Sequence, residues 1–279
     1  MKQNRARRKL FCEYNPFFYQ LALYKTIFLR HLKNCFGGEH FALAKTDNPL
    51  PYTVKTHRSL LLRRLEGVDM ALQQNKVTNL RLASAHINRI AICPGETFSF
   101  WRIVGNPTVK KGYLEGLTIA GGAPSSAAGG GLCQLANMVH WLVLHSPLTV
   151  TELHHHTDAL FPDCGRRVPF GTGTSVFYNA VDYRFKNETE NTYGLLIWLD
   201  ETDLCGELRC GAELSSRYRI EERDHHYSCE PHGYYRNSEI WKKQIDCATG
   251  ELQKEWLIFK NHSKVMYDDA LIPREEIRV

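Results

Sequence analysis

The stretch GGGLCQ places a thiol directly behind a run of glycines and in front of an apolar segment with helical spacing. A cysteine in the first turn of a helix lies near free backbone N–H groups and the positive end of the helix dipole, which favour the thiolate. Gly129, Gly130 and Gly131 permit positive φ angles and the close approach of another backbone. The N–H groups of Cys133 and Gln134 are suited to stabilise an oxyanion. We therefore predict Cys133 as a candidate nucleophile.

A nucleophilic cysteine needs a histidine that accepts its proton and a polar group that orients the imidazole. The segment ELHHHT supplies histidines on a predicted strand, where alternation sends His154 and His156 to the same face. The interval after Cys133 is long enough for a helix, a turn and a returning strand. Asp182, on a later predicted strand, is the candidate for orienting His156, and Asp158 is a nearer alternative in a loop.

Each of these interpretations has a structural alternative, which stays open. A free cysteine is commonly a small buried core residue, and histidines also occupy polar strand edges. Trp101 in FSFW is predicted either in the core or in a binding surface. A second group of residues consists of side-chain types that ligate zinc: Cys205, Cys210, His225, His226, Cys229 and His232. Their spacing is not that of a zinc knuckle. We therefore expect no metal and no cofactor.

The elements that must position these residues are helical at first and rich in strands later. Residues 1–48 and most of 57–90 are predicted to be helical, with Thr78 or Asn79 as an N-cap. The helix after Cys133 is predicted to end before Pro147. We predict an α+β fold, in which a mainly antiparallel sheet packs on the cysteine-bearing helix, like a cysteine peptidase or transglutaminase by analogy.

The pattern divides the chain into three predicted parts. Residues 1–56 form a basic helical N-terminal region, residues 57–200 a core domain, and residues 201–279 a β-rich C-terminal extension.

Composition excludes several classes of protein. The 279 residues carry a net charge of +5, short of the excess typical of a nucleic-acid binder. No apolar window reaches the ~18 residues of a membrane-spanning helix. The odd count of nine cysteines favours reduced thiols and a cytoplasmic location. Basic residues dominate the start of the chain and predict either a capping helix or a peripheral contact with anionic lipid; they are Lys2, Arg5, Arg7, Arg8 and Lys9.

The chain resembles the VanW family in four motifs, which occur in this order: PGETFSFW, YLEGLTIAGG, GGGLCQ and VDYRFKN. The resemblance places the family's glycine-cysteine-glutamine signature on the GGGLCQ stretch and its strand histidine on His156, with His154 at a position that is often histidine. It also assigns Glu96 to the family's proline-glycine-glutamate turn and Asp182 to its aspartate. The chain departs from the family at Gly173, where relatives usually have aspartate.

The resemblance implies a bacterial protein with a role in glycopeptide resistance or the cell envelope, and no established reaction. Two hypotheses follow. In the first, the chain is a Cys/His enzyme that acts on an acyl or amide group, such as one of a peptidoglycan precursor. In the second, it is a non-catalytic binding or scaffold protein of the resistance or cell-wall system, and the glycine loop with Trp101 forms its pocket or partner surface.

Overall fold

A computed structural model of the chain describes residues 15–62, 69–120, 123–155, 158–162 and 167–278. The helices are α1 (Pro16–Phe36), α2 (Met70–Ile87), α3 (Phe100–Val104) and α4 (Cys133–Leu144). The strands are β1 (Tyr52–Leu60), β2 (Ala91–Ile92), β3 (Thr97–Ser99), β4 (Glu115–Ala120), β5 (Ala123–Ala128), β6 (Thr149–Glu152), β7 (Asp158–Ala159), β8 (Arg184–Lys186), β9 (Tyr193–Leu199), β10 (Asp203–Cys210), β11 (Ser216–Glu230), β12 (Gly233–Asp246), β13 (Leu252–Val265) and β14 (Ile277–Arg278).

Antiparallel pairing dominates the four sheets of the described residues. The central sheet has the strand order β1-β10-β9-β2, and a five-stranded sheet has the order β14-β11-β12-β13-β7. A small sheet joins β3, β8 and β6, and β4 forms a hairpin with β5. The predicted α+β class is confirmed. The three-part domain division stays a prediction, and the central sheet takes strands from all three parts.

The cysteine-bearing helix α4 forms the centre of the core and packs on β1 and β10. Its residues after Gln134 are buried almost all round, as expected of a helix enclosed in a core. Gly206 on β10 allows this approach, since a Cβ there would lie only 2.9 Å from the Met138 sulfur. The predicted packing of sheet strands on this helix is therefore what the structure contains.

Two local predictions were wrong. Residues 57–60, at the start of a segment predicted as helical, belong instead to β1, which pairs with β10. Helix α2 begins at Met70, with the Asp69 carboxylate accepting from the Ala71 N–H at 2.8 Å, so neither Thr78 nor Asn79 is its cap. Long-range pairing with β10 overrides the local helical pattern of β1.

The histidine segment also differs from its predicted form. Strand β6 ends at Glu152, so His154 and His155 lie beyond the strand. None of the helices that the structure describes is both long and apolar enough to cross a bilayer.

Candidate functional site

Helix α4 begins at Cys133, directly after a tightly packed glycine turn. Gly129 and Gly131 have φ angles of +78° and +91°, which favour glycine. A Cβ on Gly130 would lie 2.0 Å from the carbonyl oxygen of Gly116 on β4. The glycines therefore let the β4–β5 hairpin lie against the start of α4.

The Cys133 thiol lies in apolar surroundings. Its sulfur is 3.8 Å from the Val176 carbonyl oxygen, and burial raises the pKa of the thiol although hydrogen bonds from the backbone and Ser175 oppose that effect. This direction is opposite to the one expected from the helix terminus alone, because desolvation disfavours the thiolate. The Gln134 N–H, a predicted oxyanion donor, donates to the Gly131 carbonyl at 3.0 Å.

His154 flanks the segment that contacts the cysteine. Its carbonyl accepts from the Ser175 N–H at 2.7 Å, next to Val176. Its imidazole Nε2 lies 3.1 Å from the Glu152 carboxylate. His156, the predicted general base, lies outside the described residues. The roles of His154 and His156 as catalytic groups stay predictions.

Asp182 belongs to a buried polar network. Its carboxylate accepts from the Ser99 hydroxyl at 2.6 Å, the Arg184 Nε at 2.8 Å and the N–H groups of Trp101 and Tyr183. The side chain is fully buried. Four donors from protein groups leave little acceptor capacity, so the predicted orientation of an imidazole would require one of these bonds to change.

Arg184 extends this network to α1 and β6. Its guanidinium donates to Glu39 at 2.9 Å and to Asn34 at 2.7 Å. Arg30 on α1 donates to both oxygens of Glu152, at 2.5 and 2.7 Å. The Asp182–Arg184–Glu152–Arg30 network, as we name these four residues, therefore fastens α1 to the small sheet.

The other predicted binding residues occupy different places. The Glu96 carboxylate accepts from the Cys93 N–H at 2.8 Å and so closes its own turn. The Trp101 indole donates to the Val181 carbonyl at 2.8 Å and packs edge-on against Tyr178. The Gln134 amide donates to the Ser59 hydroxyl at 3.0 Å and to the Leu60 carbonyl at 2.8 Å, which ties α4 to β1.

Cys133 lines a cavity of about 680 Å³ with a predominantly apolar wall. The structure brings into this lining Gly129, Gly130, Gly131, Cys133, Gln134 and Trp101. Leu23 and Ile27 of α1 form a further side of it. Of the predicted site residues that the structure describes, His154, Asp182 and Glu96 do not belong to the lining.

His57 on β1 is a cavity residue that sequence reasoning missed. It lines the same cavity, and burial together with the nearby charges of Lys55 and Arg167 lowers its pKa to about 4. The imidazole is therefore neutral at pH 7. The signal for His57 is the alternation of side chains between the two faces of a strand, and it becomes useful only once β1 is known to be a strand.

Within the described parts of the chain, no cluster of three or more histidine, cysteine or acidic side chains is arranged to hold a metal ion. Cys205 and Cys210, two members of the group considered for zinc, are buried on β10.

The chain is similar to known proteins. Residues 75–209 match the family model described as VanW like protein. The chain is 32% identical over 232 residues to the Vancomycin B-type resistance protein VanW of Enterococcus faecalis, covering 83% of this chain and 84% of that protein. It is also 32% identical over 110 residues to the uncharacterized protein YoaR of Bacillus subtilis, covering 39% of this chain and 35% of that protein.

No solved structure is significantly similar to the chain. The identity to the E. faecalis protein extends over most of both chains, and the family match contains both the glycine-cysteine turn and the cavity-lining part of α4. The chain therefore belongs to the VanW family.

Proposed function

We propose that the chain is an accessory protein of glycopeptide resistance or of a related cell-envelope function. The support is its family and its similarity to a protein named for vancomycin resistance. At the molecular level, we propose that it binds the apolar part of a cell-wall precursor or of another envelope component. The observation that carries this proposal is the apolar cavity at the start of α4.

The cavity has the properties of a ligand site. Its volume of about 680 Å³ falls in the range of small-molecule pockets, which combine apolar walls with a few polar groups. Gln134 is held by β1, and His57 is neutral at pH 7. Such a predominantly apolar wall, which also includes Lys76, favours a largely apolar group.

A cavity-filling variant tests this proposal. Ala128 lines the cavity, so Ala128→Phe should occupy part of it, whereas Ala248 is exposed in a distant turn and Ala248→Phe serves as the matched control. We expect Ala128→Phe to lower the vancomycin concentration tolerated by a complemented deletion strain and to reduce binding of an apolar fluorescent dye. Unchanged tolerance with a properly folded Ala128→Phe protein would contradict the proposal.

A second candidate function is supported by the place of Cys133, at the first turn of α4 and in the cavity wall. His156 would accept the thiol proton of Cys133, and the thiolate would attack an acyl or amide carbon. A carbon–sulfur bond would form, and the bond to the leaving amine or alcohol would break as that group takes the proton from His156. Water would then hydrolyse the thioester and regenerate the thiol. His154 is the alternative base, and Asp182 the orienting group.

Alkylation of Cys133 separates the two candidates. Iodoacetamide labelling is followed by peptide mass spectrometry across pH, with the exposed Cys247 as the internal control. If the chain is a Cys/His enzyme, we expect a labelling pKa of Cys133 well below the ordinary ~8.5. We also expect that both Cys133→Ser and His156→Ala abolish function. If the chain is a binding protein, we expect a labelling pKa above the ordinary ~8.5, because burial raises the pKa of the Cys133 thiol, and retained function in both variants.

A further inference from the structure

Helix α1 presents one face to the protein and another to solvent. On the inner face, Leu23 and Ile27 line the cavity. Arg30 pairs with Glu152, and Asn34 accepts from Arg184. These contacts fasten α1 through a narrow set of positions, so much of its remaining surface is free of the described core.

The solvent face carries an uninterrupted apolar stripe, which we name the outer stripe of α1: Phe17, Leu21, Tyr24, Phe28 and Leu32. Successive members are three or four positions apart, so they share one side of the helix. Their exposed fractions run from 38% to 70%. Soluble proteins rarely leave a contiguous apolar surface of this kind without a partner.

The sequence up to the end of α1 is strongly basic. Residues 1–36 contain eight lysines and arginines and a single acidic residue, Glu13. On α1 itself, Lys25 and Lys33 are exposed, and no acidic residue occurs between Pro16 and Phe36. Aromatic and aliphatic side chains on one side, with lysines beside them, are typical of helices that lie in the interface of an anionic bilayer.

We propose that the outer stripe of α1 binds the surface of an anionic membrane, with the helix axis in the membrane plane. The apolar side chains enter the boundary between headgroups and acyl chains, and the basic residues contact anionic headgroups. Leu23 and Ile27 then place the cavity directly beneath the membrane-bound helix. This inference depends on α1 alone and stands whether or not the cavity binds a ligand.

Vesicle co-sedimentation of the full chain tests the inference. We expect binding to phosphatidylcholine vesicles that contain about 30% phosphatidylglycerol, and much weaker binding to pure phosphatidylcholine or at high salt. The double variant Tyr24→Ser/Phe28→Ser should bind the anionic vesicles at least about tenfold more weakly. Val109→Ser/Leu252→Ser, which removes exposed apolar side chains from outside α1, should bind like the unmodified chain.

Two results would overturn the inference. The first is equal vesicle binding by the Tyr24→Ser/Phe28→Ser variant with an unchanged circular dichroism spectrum. The second is a dimer of the unmodified chain in analytical ultracentrifugation that becomes a monomer in this variant, because the outer stripe would then be an interface between two copies of the chain.

Discussion

The two regions that contain the candidate residues are built in opposite ways. Around Asp182, charged and polar groups are enclosed and paired with one another, as in the ion pair between Asp182 and Arg184. Around Cys133, the wall is largely apolar and the space between the side chains is open. The candidate residues therefore fall into two environments: a buried network of mutually paired polar groups and a largely apolar cavity wall.

Because of this difference, Asp182 and Cys133 are expected to have different roles. A buried carboxylate with several protein donors is committed to the architecture, and removal of such a group leaves its partners without compensation. The Cys133 thiol has fewer hydrogen-bond partners than the Asp182 carboxylate, and it lines the cavity that a ligand would occupy. The cavity is therefore the place where substitutions test function, and the Asp182–Arg184–Glu152–Arg30 network is the place where they test stability.

The largest expected effect is that of Asp182→Ala. The substitution leaves the Arg184 guanidinium, whose side chain is 3% exposed, without its closest carboxylate. We expect a loss of at least about 3 kcal/mol in the free energy of unfolding, measured by urea denaturation. Asp269→Ala, at an exposed position, should change it by less than about 0.5 kcal/mol. A stable Asp182→Ala protein that lacks function would instead favour a catalytic role.

The next effect concerns the backbone that forms the cavity wall. Gly130→Ala would bring a Cβ within 2.0 Å of the Gly116 carbonyl oxygen, and two backbones cannot adjust as a flexible side chain would. We expect a loss of about 2 kcal/mol in the free energy of unfolding. Gly211→Ala is the control, since its Cβ would meet its nearest atom at 3.7 Å. Equal stability of the two variants would show that the hairpin is not tightly held.

A smaller effect is expected from Glu152, and it depends on pH. Burial opposes ionisation, but the hydrogen bonds of Arg30 and His154 outweigh it and lower the pKa of Glu152 from 4.5. Because the pKa is lower in the folded state, the stabilisation is complete above pH 4.5 and is lost as the pH falls through the folded pKa.

We therefore expect Glu152→Gln to lose about 1.5 kcal/mol at pH 7 and less at pH 3, measured by urea denaturation at both values. The exposed Glu201→Gln serves as the control. A loss of the same size at both pH values would contradict an ionic contribution from Glu152.

The smallest expected effect is that of Gln134→Ala. The variant loses the hydrogen bonds to Ser59 and Leu60 that tie α4 to β1. We expect a loss of about 1 kcal/mol, measured by thermal and urea denaturation. Gln74→Ala, exposed on α2, should be neutral. A Gln134→Ala protein that is fully stable but no longer binds the apolar dye would show that Gln134 contacts the ligand. Its role would then be in binding and not in the stability of the fold.

Several features could be predicted from the sequence because they depend on neighbouring residues. The glycine turn and the helix that begins at Cys133 follow from backbone freedom and apolar spacing, and the structure has both. Strand β1 was not recognised, because its pairing with β10 and its packing on α4 join segments that lie far apart in the sequence. His57 was missed for the same reason, and the polar network was missed because its members lie up to about 150 positions apart.

The sequence by itself determined the family, the α+β class and the position of a thiol at the start of a helix, since ordered motifs and local periodicity are properties of the chain. Only the tertiary structure decided the environments of Cys133 and Asp182. A pKa and a hydrogen-bond partner depend on which distant segments exclude water and supply donors, and those segments come together only when the chain folds.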